Sequence, residues 1–256
     1  MSLHVETTGR GPDLVLLHGW AMHGGVFAPL VEVLRDDFTV HRVDLPGHGL
    51  SRDSGIALEL EACVDAVAAR VPADAAWCGW SLGGLVALQA ARRGVPMRAL
   101  AMLCATPCFV RRPDWPHGMP VDVFRGFADG LRDDWRGTLD RFLALEAFGS
   151  DHAREALRNL REALFARGEP APGVLAEGLA MLEQADLRPA LSGLALPAIW
   201  ISGRRDRLVD PRAMAAAAAL MPGAHHHVVE QAGHAPFLTH AGEVARLLRQ
   251  LREQVP

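Results

Sequence analysis

Lysine is absent from this chain of 256 residues, and every one of its 26 basic side chains is arginine. Schiff-base and lysine-nucleophile chemistry are therefore excluded. Cysteine is scarce. The four present, Cys63, Cys78, Cys104 and Cys108, cannot make a disulfide framework for a chain of this length. Cys104-x3-Cys108 lacks the second ligand pair of a metal site, so these cysteines read as small buried apolar residues. No apolar run reaches the roughly 18 residues of a membrane-spanning helix. Met1-Ser2-Leu3-His4-Val5-Glu6 lacks a basic end followed by an apolar core, so no signal peptide is expected. Excess charge is also missing: the net value is −4, which gives no cationic field for nucleic acid. These absences predict a cytoplasmic protein with neither membrane nor nucleic acid as partner.

Half of the residues are apolar, enough for one large α/β domain with an insertion. Leu14–Leu17, Phe38–Leu45, Ala75–Trp80 and Ala99–Ala105 read as strands. Helical spacing over 57–71 and over Leu82–Arg93, closed by Gly94, alternates with them, as in a parallel sheet covered on both faces. From about 111 to 190 the spacings are helical only, for example Leu139, Phe142 and Leu143, then Leu157, Leu160 and Leu164. The alternation resumes with a strand at Ala198–Ile201, a helix at Pro211–Leu220, a strand at Val228–Val229 and a terminal helix carrying Val244, Leu247, Leu248 and Leu251. The expected architecture is a mostly parallel sheet, built from 1–110 and 191–256, with a helical cap over 111–190. His225-His226-His227 reads as the start of a surface strand.

Gly79-Trp80-Ser81-Leu82-Gly83 joins a strand to a helix. A serine pushed out of a strand end adopts a strained backbone, and glycines two residues away on either side prevent clashes. The helix that follows aims its amides and dipole at developing negative charge. A serine hydroxyl needs a base, and in this arrangement an acid and then a histidine follow along the chain. His234, in Gly233-His234-Ala235-Pro236-Phe237 after the last strand, is the candidate base. Of the two acids after the preceding strand, Asp210 precedes Pro211 and reads as a helix N-cap. That leaves Asp206 to orient the imidazole. The oxyanion donors are expected to be the amide of Leu82 and that of Trp20, in His18-Gly19-Trp20 after the first buried strand. His18 reads as a loop-stabilising residue. This mechanism needs no metal or organic cofactor.

Four stretches carry a family resemblance: Leu16-Leu17-His18-Gly19-Trp20, Val43-Asp44-Leu45-Pro46-Gly47-His48-Gly49-x-Ser51, Gly79-Trp80-Ser81-Leu82-Gly83-Gly84 and Gly233-His234-Ala235-Pro236-Phe237. They resemble the α/β-hydrolase fold. The longer run to Ala87, with the cap stretches Thr106-Pro107-Cys108-Phe109 and Arg141-Phe142-Leu143-Ala144-Leu145, is similar to the pimeloyl-[acyl-carrier protein] methyl ester esterases of biotin synthesis, the BioH family. The resemblance implies a Ser81–Asp206–His234 triad with Trp20 and Leu82 at the oxyanion hole. It implies hydrolysis of a methyl ester on a carrier-bound pimeloyl chain, with release of methanol. It also implies that Arg141, Arg154 and Arg158 meet the acidic acyl-carrier protein and that Phe142 borders the substrate pocket. A further basic position of the family falls on Gly137, with Arg136 beside it.

Charge alone does not single out the cap, because 111–170 holds 10 arginines and 11 acids. Arg154, Arg158 and Arg161 do line one helix face, and guanidiniums suit phosphate and carboxylate. The competing reading is a solvated face with intrahelical ion pairs. A general short-chain carboxylesterase and a carbon–carbon bond hydrolase would use the same triad. Dehalogenases and epoxide hydrolases of this fold carry aspartate where Ser81 stands. A ligand-binding protein without turnover would not need the full set of groups.

Overall fold

The computed structural model describes residues 2–254. Its sheet has seven strands: β1 (Val5–Gly9), β2 (Asp13–Leu17), β3 (Thr39–Val43), β4 (Ala76–Trp80), β5 (Ala99–Leu103), β6 (Ala198–Gly203) and β7 (Ala224–Val229). Their order across the sheet is β1-β3-β2-β4-β5-β6-β7. Only β1 runs antiparallel, against β3; the other pairings are parallel. The α/β fold expected from the alternating pattern is present. The central strands are buried on both faces, and this is why Leu14–Leu17 and Ala99–Leu103 read as unbroken apolar runs.

Helices α1 (Ala28–Leu34), α2 (Leu60–Ala68), α3 (Leu82–Arg92), α8 (Pro211–Leu220), α9 (Pro236–Thr239) and α10 (Ala241–Glu253) accompany the sheet. Between β5 and β6 the chain forms α4 (Val121–Asp133), α5 (Trp135–Ala147), α6 (Ala153–Ala166) and α7 (Pro172–Gln184). Among the described residues this stretch adds no strand to the sheet, only isolated bridges at Val110–Met119 and Arg112–Trp115. We propose it as the cap. Asp134 starts α5 by accepting the amide of Gly137 at 2.9 Å, and Asp210 starts α8 by accepting that of Arg212 at 2.8 Å.

One element differs from the sequence expectation. Strand β1, Val5-Glu6-Thr7-Thr8-Gly9, is half-exposed and polar, so only its antiparallel pairing with β3 marks it as a strand. Strand β7 takes in the three histidines near its start, as their reading as a strand start implies.

Candidate active site

Ser81 sits between β4 and α3 with φ 53° and ψ −117°, a left-handed backbone that costs a non-glycine residue of order 1–3 kcal/mol. Its amide donates to the Leu103 carbonyl at 3.0 Å, which fixes the turn against β5. The flanking glycines are steric requirements. A Cβ on Gly79 would collide with the Gly83 carbonyl, and one on Gly83 with the Leu17 carbonyl.

Asp206 lies in the loop after β6. Its Oδ1 accepts the amides of Leu208 and Val209 at 2.8 and 3.0 Å, and its Oδ2 accepts His234 Nδ1–H at 2.7 Å. Both side chains are fully buried. The Arg205 amide donates to the Ala232 carbonyl at 3.0 Å, joining the two loops that carry the pair. Trp80, one residue before Ser81, donates its indole N–H to the His234 carbonyl at 2.8 Å. The end of β4 therefore positions both the serine and the histidine. His234 Nε2 is buried and has no hydrogen-bond partner among the described residues, so the structure brings Asp206 and His234 together without a bond to Ser81. Such contacts often close only when substrate is bound.

The amides of Trp20 and Leu82 find no acceptor among the described residues, as an oxyanion site requires. His18 behaves as a structural residue: Nε2 accepts the Leu45 amide at 2.9 Å and Nδ1–H donates to the Gly19 carbonyl at 2.8 Å. Burial pushes its pKa down to about 3 and that of His48 down to about 4, so both are neutral.

Ser81 opens onto a small apolar cavity of about 20 Å³, bordered by Phe109, Phe124, Phe127, Phe142, Leu179 and Leu182. Phe142 meets Trp20 edge-on at 4.6 Å and Phe127 at 5.6 Å. Phe127 also lines an open, mostly apolar groove of about 530 Å³ between α4 and α5, with Arg141 and Phe148 at its sides. Phe127 thus lines both the cavity at Ser81 and the outer groove.

Glu146 was not anticipated from the sequence. It follows Leu139, Phe142 and Leu143 at helical spacing on the buried face of α5. It is 1% exposed, and neither carboxyl oxygen has a partner among the described residues. Its backbone carbonyl accepts the His234 amide at 3.2 Å. Burial pushes its carboxyl well above the usual range, and the Asp206 charge adds to this. The fold therefore holds Glu146 protonated where an unfolded chain would ionise it, and its stabilising contribution fades as pH rises above about 4.3. Glu146→Gln is expected to be more stable than the parent at pH 8, with little difference at pH 4.5. Thermal unfolding at the two pH values checks this; a difference independent of pH would refute it.

The side chains of Cys104, Asp206 and His234 could offer three metal-ligand atoms within 4.8 Å of one another. The Asp206–His234 separation of 2.7 Å argues against it. Two ligands on a tetrahedral zinc stand about 3.3 Å apart, given bonds of about 2.0 Å. All four cysteines are free and buried, and burial pushes the thiols of Cys63 and Cys78 up to about 12. In β7 the histidines alternate between faces. His226 Nε2 bonds Ser202 Oγ at 2.9 Å, and His227 Nε2 bonds Glu243 at 2.8 Å. They do not converge on a metal. Ser202 is a strand residue, so this second serine–histidine contact lacks the turn of Ser81.

The cap arginines differ in their surroundings. Arg141 donates to Thr138 Oγ1 at 2.7 Å beside the groove. Arg154 is exposed, and Arg158 stands 3.9 Å from Glu162. Arg161 makes two bonds to Asp140 of α5, at 2.7 and 2.9 Å, so the third member of the stripe is committed to holding the cap together. Arg136 pairs with Glu169 at 2.6 Å.

A strained serine at a strand end, a buried acid–histidine pair on the two following loops and a mostly parallel sheet define an α/β-hydrolase, and the profile of the Alpha/beta hydrolase family matches residues 14–247. Within that class, the chain belongs to the family of pimeloyl-[acyl-carrier protein] methyl ester esterases. It is 58% identical over 247 residues to the pimeloyl-[acyl-carrier protein] methyl ester esterase of Stenotrophomonas maltophilia (strain K279a), covering 96% of this chain and 95% of that protein. The enzyme of the same name from Xanthomonas campestris pv. campestris (strain B100) is 55% identical, covering 99% of this chain and all of that protein. Among solved structures, an esterase from Exiguobacterium antarcticum superposes with a TM-score of 0.88 over 98% of this chain and 95% of that one; at 20% identity it speaks for the fold alone. Among the described residues no helix is long and apolar enough to cross a membrane.

Proposed function

We propose that this protein is a serine carboxylesterase that hydrolyses the methyl ester of pimeloyl-[acyl-carrier protein] to methanol and the free carboxylate. The observation that carries this reading is the near-full-length identity of 55–58% to enzymes of that name. The site geometry supports the chemistry. Ser81 Oγ attacks the ester carbonyl while His234 Nε2 takes its proton. Asp206 holds the ring so that Nδ1 carries hydrogen and Nε2 is free to accept. The Trp20 and Leu82 amides receive the oxyanion. His234 then protonates the departing methoxide, and water repeats the sequence on the acyl-enzyme.

The lining at Ser81 is apolar like a methylene chain, and the groove past Phe127 is the proposed course of its continuation toward the carrier. Arg141, Arg154 and Arg158 are the proposed contacts for the acidic acyl-carrier protein. The test is to compare the carrier-bound methyl ester with free methyl esters of matched chain length, following loss of the methyl group by mass spectrometry. Much faster demethylation of the carrier-bound ester is expected. Equal rates would reduce the assignment to a general short-chain carboxylesterase.

A further inference from the structure

Two contacts join α6 and α7 to the loop that carries Trp20, and a third reaches it through Asp44. The Trp20 indole N–H donates to the Leu175 carbonyl at 2.8 Å. His23 accepts the Gly25 amide on Nδ1 at 3.0 Å, so Nε2 carries hydrogen and donates to the Ala163 carbonyl at 2.6 Å. The third contact is ionic. Arg167, the residue that closes α6, is 13% exposed and reaches into the core. Its Nη1 donates to both oxygens of Asp44 at 3.1 and 3.0 Å, and its Nη2 to Glu6 at 2.6 Å.

Asp44 is fully buried at the end of β3. Beyond the guanidinium it accepts the amide of Gly24 at 2.7 Å and that of Leu50 at 2.8 Å. Gly24 closes the loop that begins after β2 and contains Trp20. The same loop holds Ala21 at φ 64°, a left-handed backbone that its surroundings must enforce. Arg167 supplies part of that enforcement, because it neutralises and orients the one carboxylate to which the end of the loop is fastened. Nη1 serves Asp44 and Nη2 serves Glu6, so a single guanidinium connects β1, the end of β3 and the cap.

We infer that Arg167 is a positioning residue for the oxyanion hole: through Asp44 it makes the placement of the Trp20 amide depend on how the cap is seated. This rests on the assignment of that amide as an oxyanion donor. It goes further in making the cap part of the catalytic geometry, in addition to any role in binding the carrier. The guanidinium touches no reacting atom; it acts through Asp44 and the Gly24 amide.

The test uses p-nitrophenyl esters, which need no carrier. Loss of one oxyanion donor costs about 10²–10³ in rate, so displacement of one predicts a smaller but clear effect. Arg167→Met is expected to lower kcat about 10–100-fold, with KM changed less than about 3-fold. Affinity for a trifluoromethyl ketone, which forms the tetrahedral oxyanion, should fall in proportion to kcat. Arg167→Lys should recover part of both, since one ammonium reaches Asp44 but cannot reproduce the fork. Arg136→Met, which removes an exposed pair of the cap, should leave both unchanged. If Arg167→Met does not fold, Glu6→Gln keeps the Asp44 contact, and a reduced but parallel loss of kcat and ketone affinity is expected. A fall in melting temperature with kcat and ketone affinity intact would overturn the inference while leaving the esterase standing. An inactive parent protein that does not bind the ketone would instead overturn the esterase reading.

Discussion

Ser81→Ala is expected to lower kcat for the carrier-bound ester by about 10⁴–10⁶-fold, while the protein stays folded. The range follows from hydrolases in which loss of the serine alone removes nearly the whole contribution of the triad. Residual turnover would come from the oxyanion amides and substrate binding. Alanine fits the site, because the turn is held by the Ser81 amide bond to Leu103 and the serine side chain makes no capping bond to the helix. Stability should therefore change little. Ser202→Ala is the informative comparison, since Ser202 also bonds a histidine, at 2.9 Å from His226. That pair lies across neighbouring strands, and its loss should leave ester hydrolysis within a few-fold. Steady-state kinetics and fluorophosphonate labelling of both variants separate the two serines. Labelling that survives Ser81→Ala but not Ser202→Ala would overturn the site.

The elements that carry the site were legible because each leaves a local signal. Buried parallel strands leave apolar runs, and the strained turn leaves two glycines at fixed distance from Ser81. The choice of Asp206 over Asp210 was legible through Pro211, which marks Asp210 as a cap; in the structure Asp210 caps α8 and Asp206 meets His234. Strand β1 was not legible, because Glu6, Thr7 and Thr8 carry no apolar alternation. Glu146 and Arg167 were hidden for a different reason. Each is a charged residue in a helical stretch, and sequence spacing alone assigns such residues to solvent. Arg167 turns inward to Asp44, and the Glu146 carbonyl meets the His234 amide; both neighbours are distant in sequence and come near only when the cap packs on the sheet. The arginine stripe was only half legible. Helical spacing put Arg161 beside Arg158, but Asp140 on the neighbouring helix engages its guanidinium.

Asp206→Asn is expected to lower kcat by about 10⁴-fold with little change in KM or melting temperature. The reason lies in the hydrogen bonds around the carboxylate. Oδ1 accepts the amides of Leu208 and Val209 at 2.8 and 3.0 Å, so the oxygen of an amide side chain takes that position. The amide nitrogen then falls where Oδ2 stood, 2.7 Å from His234 Nδ1, and presents hydrogen to it. Nδ1 must become an acceptor, and the ring proton moves to Nε2. A histidine in that tautomer cannot take the Ser81 proton, although every heavy atom is nearly in place. The negative charge that stabilises the imidazolium is lost as well. Loop geometry survives because both backbone amides keep their acceptor. The Asp206 charge also helps to hold Glu146 protonated, so its removal eases the penalty for ionising that buried acid. The variant should therefore lose less stability than the parent as pH rises from 5 to 8. Kinetics together with thermal unfolding across that range would test both halves. A loss of activity matched by a large fall in melting temperature would mean that Asp206 acts chiefly in folding the loop, and not by setting the tautomer of His234.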